Sequence, residues 1–279
     1  MHLISLIVGK TVYVILKIIG RRGATLPGLI VEKIDKNFLD HMLNKIPEGV
    51  IIITGTNGKT TSTKMLAQIL GSEKKVLTNP TGSNFTRGIV ASIVQRSSWS
   101  AKLNFDIAVF ELDEAYAAKF VELHKPKGAL LLNVMRDQMD RFGEIDHTAR
   151  LLKKVAQNTT DFIILNSDDI RIKSIANDTK TPVFYFGVAD NLRKLYKSDD
   201  ELHGVVIAGK KPKLTAELKG VNPGEITVVI NSNETLVIPL SLHGTYNAQN
   251  ACAVIATALV LKIDVDIITT QISSVKAAF

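Results

Sequence analysis

Cysteine is almost absent from this sequence. Cys252 is the one cysteine among 279 residues, so neither a disulfide within the chain nor a zinc site made of cysteines can form. The residue lies in an apolar stretch, and we expect it to be buried in the core. A chain with so little cysteine is typical of a reducing compartment, and the expected location is the cytoplasm.

A long uninterrupted apolar run is also missing. Residues 1–20 are strongly apolar, but Lys10 and Lys17 interrupt them two helical turns apart, on one helix face. A membrane-spanning helix needs about 20 mostly apolar residues. No basic segment precedes the apolar part, and no small-residue cleavage site follows it. The pattern predicts an amphipathic helix, which either packs on the protein or lies on a membrane surface.

Aromatic residues make up only 6% of the sequence, and none of them alternates with basic residues as in nucleic-acid-binding modules. The net charge of +7 suits a phosphate-rich ligand, an anionic membrane surface or nucleic acid, and does not choose among them. Without a supporting motif, we expect no nucleic-acid partner. The hydrophobic fraction of 46% and the charged fraction of 22% are those of an ordinary globular protein.

Strand-like and helix-like segments alternate along most of the chain. The candidate strands are apolar throughout, as in strands that are covered on both faces. They comprise residues 50–53, 75–78, 105–110, 128–132, 161–165 and 183–186, with helices predicted at 60–70 and 146–157. This alternation predicts an α/β fold of the P-loop type, with a mostly parallel sheet between two layers of helices.

The pattern changes after residue 186. Residues 210–240 hold short alternating runs separated by turn residues, which predict antiparallel hairpins. Helices are predicted at 244–261 and 264–275. Residues 20–28 read as a turn-rich linker. We therefore divide the chain into an N-terminal helix with its leading segment, 1–45, and a central domain, 46–279, with a β insertion at about 197–240.

Residues 54–61 carry the strongest chemical signal. The string Thr-Gly-Thr-Asn-Gly-Lys-Thr-Thr follows a strand and precedes a helix. Glycines let the backbone approach phosphate oxygens closely, and the N–H groups at the helix start favour an anion. Lys59 supplies a positive charge for the β- and γ-phosphates, and the Thr60 hydroxyl can ligate Mg²⁺.

The common phosphate-loop motif would place a further glycine where Ile53 stands, so this loop is of a shorter type. A simple turn is the alternative interpretation. The predicted nucleotide-binding residues are Gly55, Thr56, Asn57, Gly58, Lys59, Thr60 and Thr61.

Carboxylates follow the strand at 105–110. Glu111 comes directly after that strand, and Asp113 and Glu114 follow it. Parallel sheets bind ligands at the carboxyl ends of their strands, and Mg²⁺ prefers oxygen ligands. Glu111 is therefore the candidate metal ligand and a candidate catalytic residue together with Lys59. A solvated acidic turn is the alternative.

Residues 133–141 form a third polar cluster after a strand end, with carboxylates, amides and arginines. That mixture suits a phosphate and metal site, and Asp140 is its candidate catalytic carboxylate. In isolation, the cluster could equally be a surface loop with local salt bridges.

These motifs resemble the central ATPase domain of the Mur ligases, which join an amine to a carboxylate through an acyl phosphate. The resemblance is greatest to the MurT branch, the ligase-like subunits of lipid II isoglutaminyl synthase. It rests on residues 25–28, 54–61, 111–115, 136–144 and 244–251. Gln138 stands where other Mur ligases usually have His.

The resemblance implies ATP and Mg²⁺ as cofactors, with Asn247 contacting the nucleotide base. A helix cap is the alternative role for this asparagine. It implies amidation of the D-glutamate α-carboxylate in the lipid II stem peptide, in cell-wall synthesis, with ammonia from a GatD-like glutamine amidotransferase partner. Many Mur ligases also carry a carbamylated lysine, and Lys153 and Lys154 lie in the corresponding neighbourhood.

The sequence departs from this family in two respects. MurT proteins often carry a four-cysteine zinc ribbon, which one cysteine cannot form, so no zinc is expected. The family's C-terminal ligase domain has no counterpart before Phe279, so this is a fragment or another chain supplies that domain. Two alternatives stay open: a ligase that joins an amino acid, of the Mur or folylpolyglutamate type, and a nucleotide-binding subunit without ligase activity.

Overall fold

The computed structural model describes residues 1–20, 25–79, 85–136, 144–204, 211–242 and 244–275. These residues form one nine-stranded sheet with the strand order β2-β3-β1-β4-β5-β6-β7-β8-β9. The strands are β1 Val50–Thr54, β2 Val76–Thr78, β3 Ile107–Glu111, β4 Gly128–Leu131, β5 Phe162–Asn166, β6 Val183–Val188, β7 Ala216–Asn222, β8 Glu225–Ile230 and β9 Glu234–Pro239.

Helices cover both faces of the sheet. They are α1 His2–Ile18, α2 Leu26–Ile34, α3 Phe38–Leu43, α4 Lys59–Gly71, α5 Thr86–Arg96, α6 Glu114–Leu123, α7 Glu144–Gln157, α8 Ile170–Ser174, α9 Asp199–Leu202, α10 Thr245–Val260 and α11 Val265–Ser273. Short 3-10 helices occupy Ile175–Asp178 and Asp190–Leu195. No helix in the described ranges is both long enough and apolar enough to cross a membrane.

The central strands are apolar throughout because each of their faces has its own core. In β1, Ile51 and Ile53 pack in the core formed with α4, α10 and α11. Val50 and Ile52 point the other way, into the core formed with α1 to α3 and α5 to α8. All five residues of β1 are buried. The prediction of a mostly parallel sheet between two helical layers is confirmed.

The three last strands are antiparallel to one another, as the alternating sequence predicted. They continue the main sheet, since β7 pairs in parallel with β6. In β8, the buried residues are Ile226, Val228 and Ile230, and the residues between them are half-buried. Apolar side chains are therefore needed only on the face towards α10 and α11, which explains the change in sequence pattern.

The interpretation of residues 20–28 as a linker is wrong for its last part. Leu26 to Gly28 form the first turn of α2, where Pro27 is tolerated because a first-turn residue needs no intrahelical N–H bond. Gly28 lies against α5, and a Cβ there would overlap the carbonyl oxygen of Arg87. The glycine thus serves close helix packing rather than a turn.

Candidate nucleotide and metal site

The predicted phosphate loop connects β1 to α4. Gly58 caps α4 in the left-handed region, at φ +90°, and α4 begins at Lys59. The first backbone N–H groups of a helix have no partner within it, so those of the first turn of α4 are available to an anion. A Cβ on Gly58 would lie 2.9 Å from Asn250 Cγ, so only glycine allows α10 to approach this closely.

The segment after β4 holds the loop in shape. The Asn57 N–H donates to Asn133 Oδ1 at 2.9 Å, and Asn133 Nδ2 donates to the Asn57 carbonyl at 3.0 Å. The Thr56 N–H donates to the Asn133 carbonyl, and the Met135 N–H donates to Thr56 Oγ1, both at 3.0 Å. The loop at 54–61 therefore meets the described part of the cluster at 133–141, residues 133–136.

Lys59 lies across the loop. Its Nζ donates to the carbonyl oxygens of Gly55 at 2.7 Å and Thr56 at 3.1 Å. The same Nζ lies 3.3 Å from Asp113 Oδ1. The ammonium group is thus held where a phosphate on the loop would meet it, and the predicted acidic string after β3 supplies its counter-ion.

Glu111 ends β3 and lies beside Ile53 of β1 in the parallel register. Asn79 fixes its backbone, with Nδ2 donating to the Glu111 carbonyl at 2.9 Å and Oδ1 accepting from the Glu111 N–H at 3.0 Å. The side chain is buried, and neither carboxylate oxygen has a hydrogen-bond partner in the described part of the chain.

A cavity of about 460 Å³ joins Glu111 to the loop, because Thr60 and Glu111 both line it. Burying a carboxylate without donors is costly, and a cation offsets that cost. The hydroxyl and the carboxylate are both hard oxygen ligands, which Mg²⁺ prefers. The residues present therefore fit a magnesium ion, and its binding by Thr60 and Glu111 stays a prediction.

A second cleft has Asn57 of the loop in its lining. It is lined by amides and aromatic rings, among other groups: Asn57, Asn133, Tyr196, Tyr246 and Gln249. Asn247 lies in the first turn of α10, between two residues that line cavities, Tyr246 and Ala248. Its predicted contact with a nucleotide base stays a prediction.

Sequence reasoning missed two carboxylates after β5, Asp168 and Asp169. Asp169 caps α8 and accepts the Val134 N–H at 2.8 Å, which ties α8 to the segment that clamps the loop. Burial raises the pKa of Asp169 to about 6, although three backbone N–H groups oppose the shift. Asp168 accepts from the Val188 N–H at 2.6 Å and pairs with Arg193 at 2.8 Å.

The rule that singled out Glu111 would also have found this pair. Both aspartates come shortly after the end of β5 at Asn166, much as Asn133 comes shortly after the end of β4 at Leu131. Their contacts are with backbone N–H groups and Arg193, and both also line the second cleft beside Asn57 and Asn133.

Four other residues were singled out in the sequence. Asp140 is outside the described residues. Lys153 forms an ion pair with Asp178 at 2.7 Å, and Lys154 forms one with Glu122. Cys252 is fully buried on α10, as predicted, and burial raises the pKa of its thiol.

Comparison with known proteins agrees with this geometry. The Mur ligase middle domain profile matches residues 53–258. A lipid II isoglutaminyl synthase (glutamine-hydrolyzing) subunit MurT from Streptococcus pneumoniae is 28% identical over 99% of this chain and 66% of its own length. A UDP-N-acetylmuramoylalanine–D-glutamate ligase from Myxococcus xanthus is 28% identical over 76% of this chain and 41% of its own length.

Among solved structures, the MurF ligase of Thermotoga maritima in complex with ADP superposes with a TM-score of 0.69. The two sequences are 18% identical, and the superposition covers 89% of this chain and 53% of the MurF chain. At this identity the likeness concerns the fold. The family profile covers most of the chain and includes the loop, the end of β3 and the start of α10. The chain belongs to the Mur ligase family.

Proposed function

We propose that this chain binds Mg-ATP and provides the ATPase domain of an ATP-dependent carbon–nitrogen ligase of peptidoglycan synthesis. The observation that carries the proposal is the joint cavity of Thr60 and Glu111, beside a glycine loop that Asn133 holds by two hydrogen bonds to Asn57. The ADP complex of the Thermotoga MurF ligase supports it, since the two chains share a fold. The expected setting is the cytoplasm.

Each part of the site has a separate task in this proposal. The N–H groups of the first turn of α4 would hold the phosphates, and Lys59 would neutralise the charge that spreads over the transferring phosphoryl oxygens. Thr60 and Glu111 would hold Mg²⁺, which supplies charge neutralisation when bound. The cleft with Tyr246 and Gln249 offers a ring face and an amide to the nucleoside.

For the reaction, we propose amidation of the D-glutamate α-carboxylate in the stem peptide of lipid II. The γ-phosphoryl group passes to the carboxylate and ADP leaves; ammonia then attacks the acyl carbon and phosphate leaves. Similarity to a MurT subunit over almost the whole chain supports this acceptor.

A separate glutaminase of the GatD type would supply the ammonia. The one cysteine of the sequence is buried in α10, with Sγ directed at the Gly187 carbonyl at 3.7 Å, so it is not available as a glutaminase nucleophile. Substituting ammonium salt for the partner and glutamine therefore isolates the step assigned to this chain.

The test is an amidation assay with lipid II, Mg-ATP and ammonium chloride, with products identified by mass spectrometry. Lys59→Ala should abolish the product and weaken Mg-ATP binding in calorimetry. Lys219→Ala is the matched control, because Lys219 lies on β7 and pairs only with Glu217 among the described residues. Full turnover by Lys59→Ala would contradict the proposal.

A second candidate is a ligase that joins an amino acid. The Myxococcus relative, a D-glutamate ligase, favours it because it has the same identity over three-quarters of this chain. Competing ammonium against amino acids as nucleophile distinguishes the two. Tight Mg-ATP binding without product from either nucleophile, even with a glutaminase present, would indicate a nucleotide-binding subunit without ligase activity.

A further inference from the structure

The outward face of α1 is apolar and carries no charge. Its large side chains are each at least 41% exposed. They are Leu3, Ile4, Ile7, Val14, Ile15 and Ile18, which we call the α1 face. Scattered exposed apolar residues are ordinary, but a contiguous patch of this kind marks an interaction site.

The opposite side of α1 fixes the direction in which this face points. Ser5, Leu6, Gly9 and Lys10 are buried. A Cβ on Gly9 would lie 2.6 Å from Val31 Cγ2, so α1 packs against α2 at close range. The helix cannot turn about its axis to bury the apolar side chains without losing these contacts.

The α1 face has almost no polar group that would need a hydrogen bond from a binding partner. Thr11 lies on the same side of the helix, and its hydroxyl donates to the Ile7 carbonyl at 2.9 Å. A hydroxyl satisfied within its own helix can enter an apolar medium at low cost.

A cation and a tryptophan flank the face. Lys17 is exposed in the last turn of α1, and the Trp99 ring lies beside the buried Lys10, with its centre 5.5 Å from Lys10 Nζ. Trp99 is 56% exposed, and tryptophan rings favour the headgroup level of a bilayer. The sequence of α1 contains no Asp or Glu, so α1 of a second copy would offer Lys17 no counter-charge.

We propose that the α1 face docks flat on an anionic lipid bilayer. The apolar side chains enter the boundary between headgroups and acyl chains, while Lys17 and Trp99 remain at headgroup level. The buried side of α1 stays on the protein, so the helix lies along the surface. The inference rests on α1 and its neighbours alone, and it places the proposed site near a lipid-linked substrate.

The sole tryptophan provides the assay. Trp99 is the one tryptophan in the sequence, so its fluorescence reports on the edge of the α1 face without a label. Vesicles of phosphatidylcholine with phosphatidylglycerol should shift its emission to the blue with a saturating dependence on lipid. Vesicles of phosphatidylcholine alone should bind more weakly, because each cation near an anionic surface adds attraction.

Ile4→Glu and Ile15→Glu test the face itself. Each should lower the vesicle partition coefficient about tenfold or more, because a buried isoleucine is worth about 1.5–3 kcal/mol and tenfold is about 1.4 kcal/mol. The matched control is Val237→Glu on β9, where an equally exposed apolar residue lies outside the face. It should leave the partition coefficient unchanged.

Mg-ATP affinity and the urea unfolding midpoint are measured on every variant. Both should equal the wild-type values, since the two isoleucines point away from the core. A failure of the membrane proposal can therefore be distinguished from a failure of the nucleotide-binding proposal. Absence of wild-type binding to anionic vesicles would overturn the proposal. A wild-type dimer in sedimentation that Ile4→Glu dissociates, with no lipid effect, would overturn it in favour of a second copy.

Discussion

Replacing Gly58 by alanine should damage nucleotide binding through two separable effects. The backbone at Gly58 has φ +90°, which costs a non-glycine residue about 1–2 kcal/mol. The new Cβ would also lie 2.9 Å from Asn250 Cγ, closer than real Cβ contacts. Relief of this strain moves the loop away from its phosphate-binding shape, so Mg-ATP affinity should fall by at least about 5- to 30-fold.

A second substitution separates the two effects. Asn250→Ala removes the side-chain atoms that the new Cβ would meet but leaves φ unchanged. The double variant should therefore bind Mg-ATP more tightly than Gly58→Ala and more weakly than wild type. Non-additivity of this kind is expected for residues in direct contact.

Gly71→Ala is the control on the same helix. Gly71 is the last residue of α4, and a Cβ there would meet no atom within 4 Å. Calorimetry should give wild-type affinity, and urea unfolding should show a gain of about 0.4–1 kcal/mol. Wild-type affinity for Gly58→Ala itself would refute the reasoning, since it would mean that the loop shape does not depend on this glycine.

Further predictions concern the loop, the metal and a buried carboxyl. Asn133→Ala removes both hydrogen bonds to Asn57, so calorimetry should show Mg-ATP affinity lowered by about 1–3 kcal/mol; an unchanged value would contradict the clamp. Glu111→Gln should weaken binding of Mg-ATP but not of ATP in EDTA, whereas Glu114→Gln should alter neither. Because burial raises the pKa of Asp169 to about 6, its contribution to stability is present below pH about 4 and lost as pH rises through about 6. In Asp169→Asn, the free energy of unfolding from urea titrations should therefore lose about 2–3 kcal/mol of its change between pH about 4 and 6. The same pH dependence in variant and wild type would argue against the raised pKa.

The parts of the site that could be predicted from sequence are those whose chemistry is local. The loop at 54–61 is contiguous, and its glycines and lysine act on the same ligand. Glu111 was predictable because a buried strand ends there. The alternation of apolar strands with helices likewise predicted the parallel sheet. The change to short alternating runs after residue 186 predicted the antiparallel strands.

Other features depend on partners that are distant in sequence. The acceptor role of Asp169 towards Val134 spans 35 residues, and no local pattern shows it. Gly28 was taken for a turn residue, whereas its neighbour is α5. Helices α2, α3, α5, α6, α8 and α9 were not predicted, and of these α3, α8 and α9 are too short to show a helical period.

The most direct test of the central claim is a crystal structure of the chain with Mg²⁺ and a non-hydrolysable ATP analogue. We expect the phosphates to lie on the first turn of α4, beside Lys59, and the metal to be bound to both Thr60 Oγ1 and the Glu111 carboxylate. A nucleotide bound elsewhere, or a metal that contacts neither side chain, would contradict it.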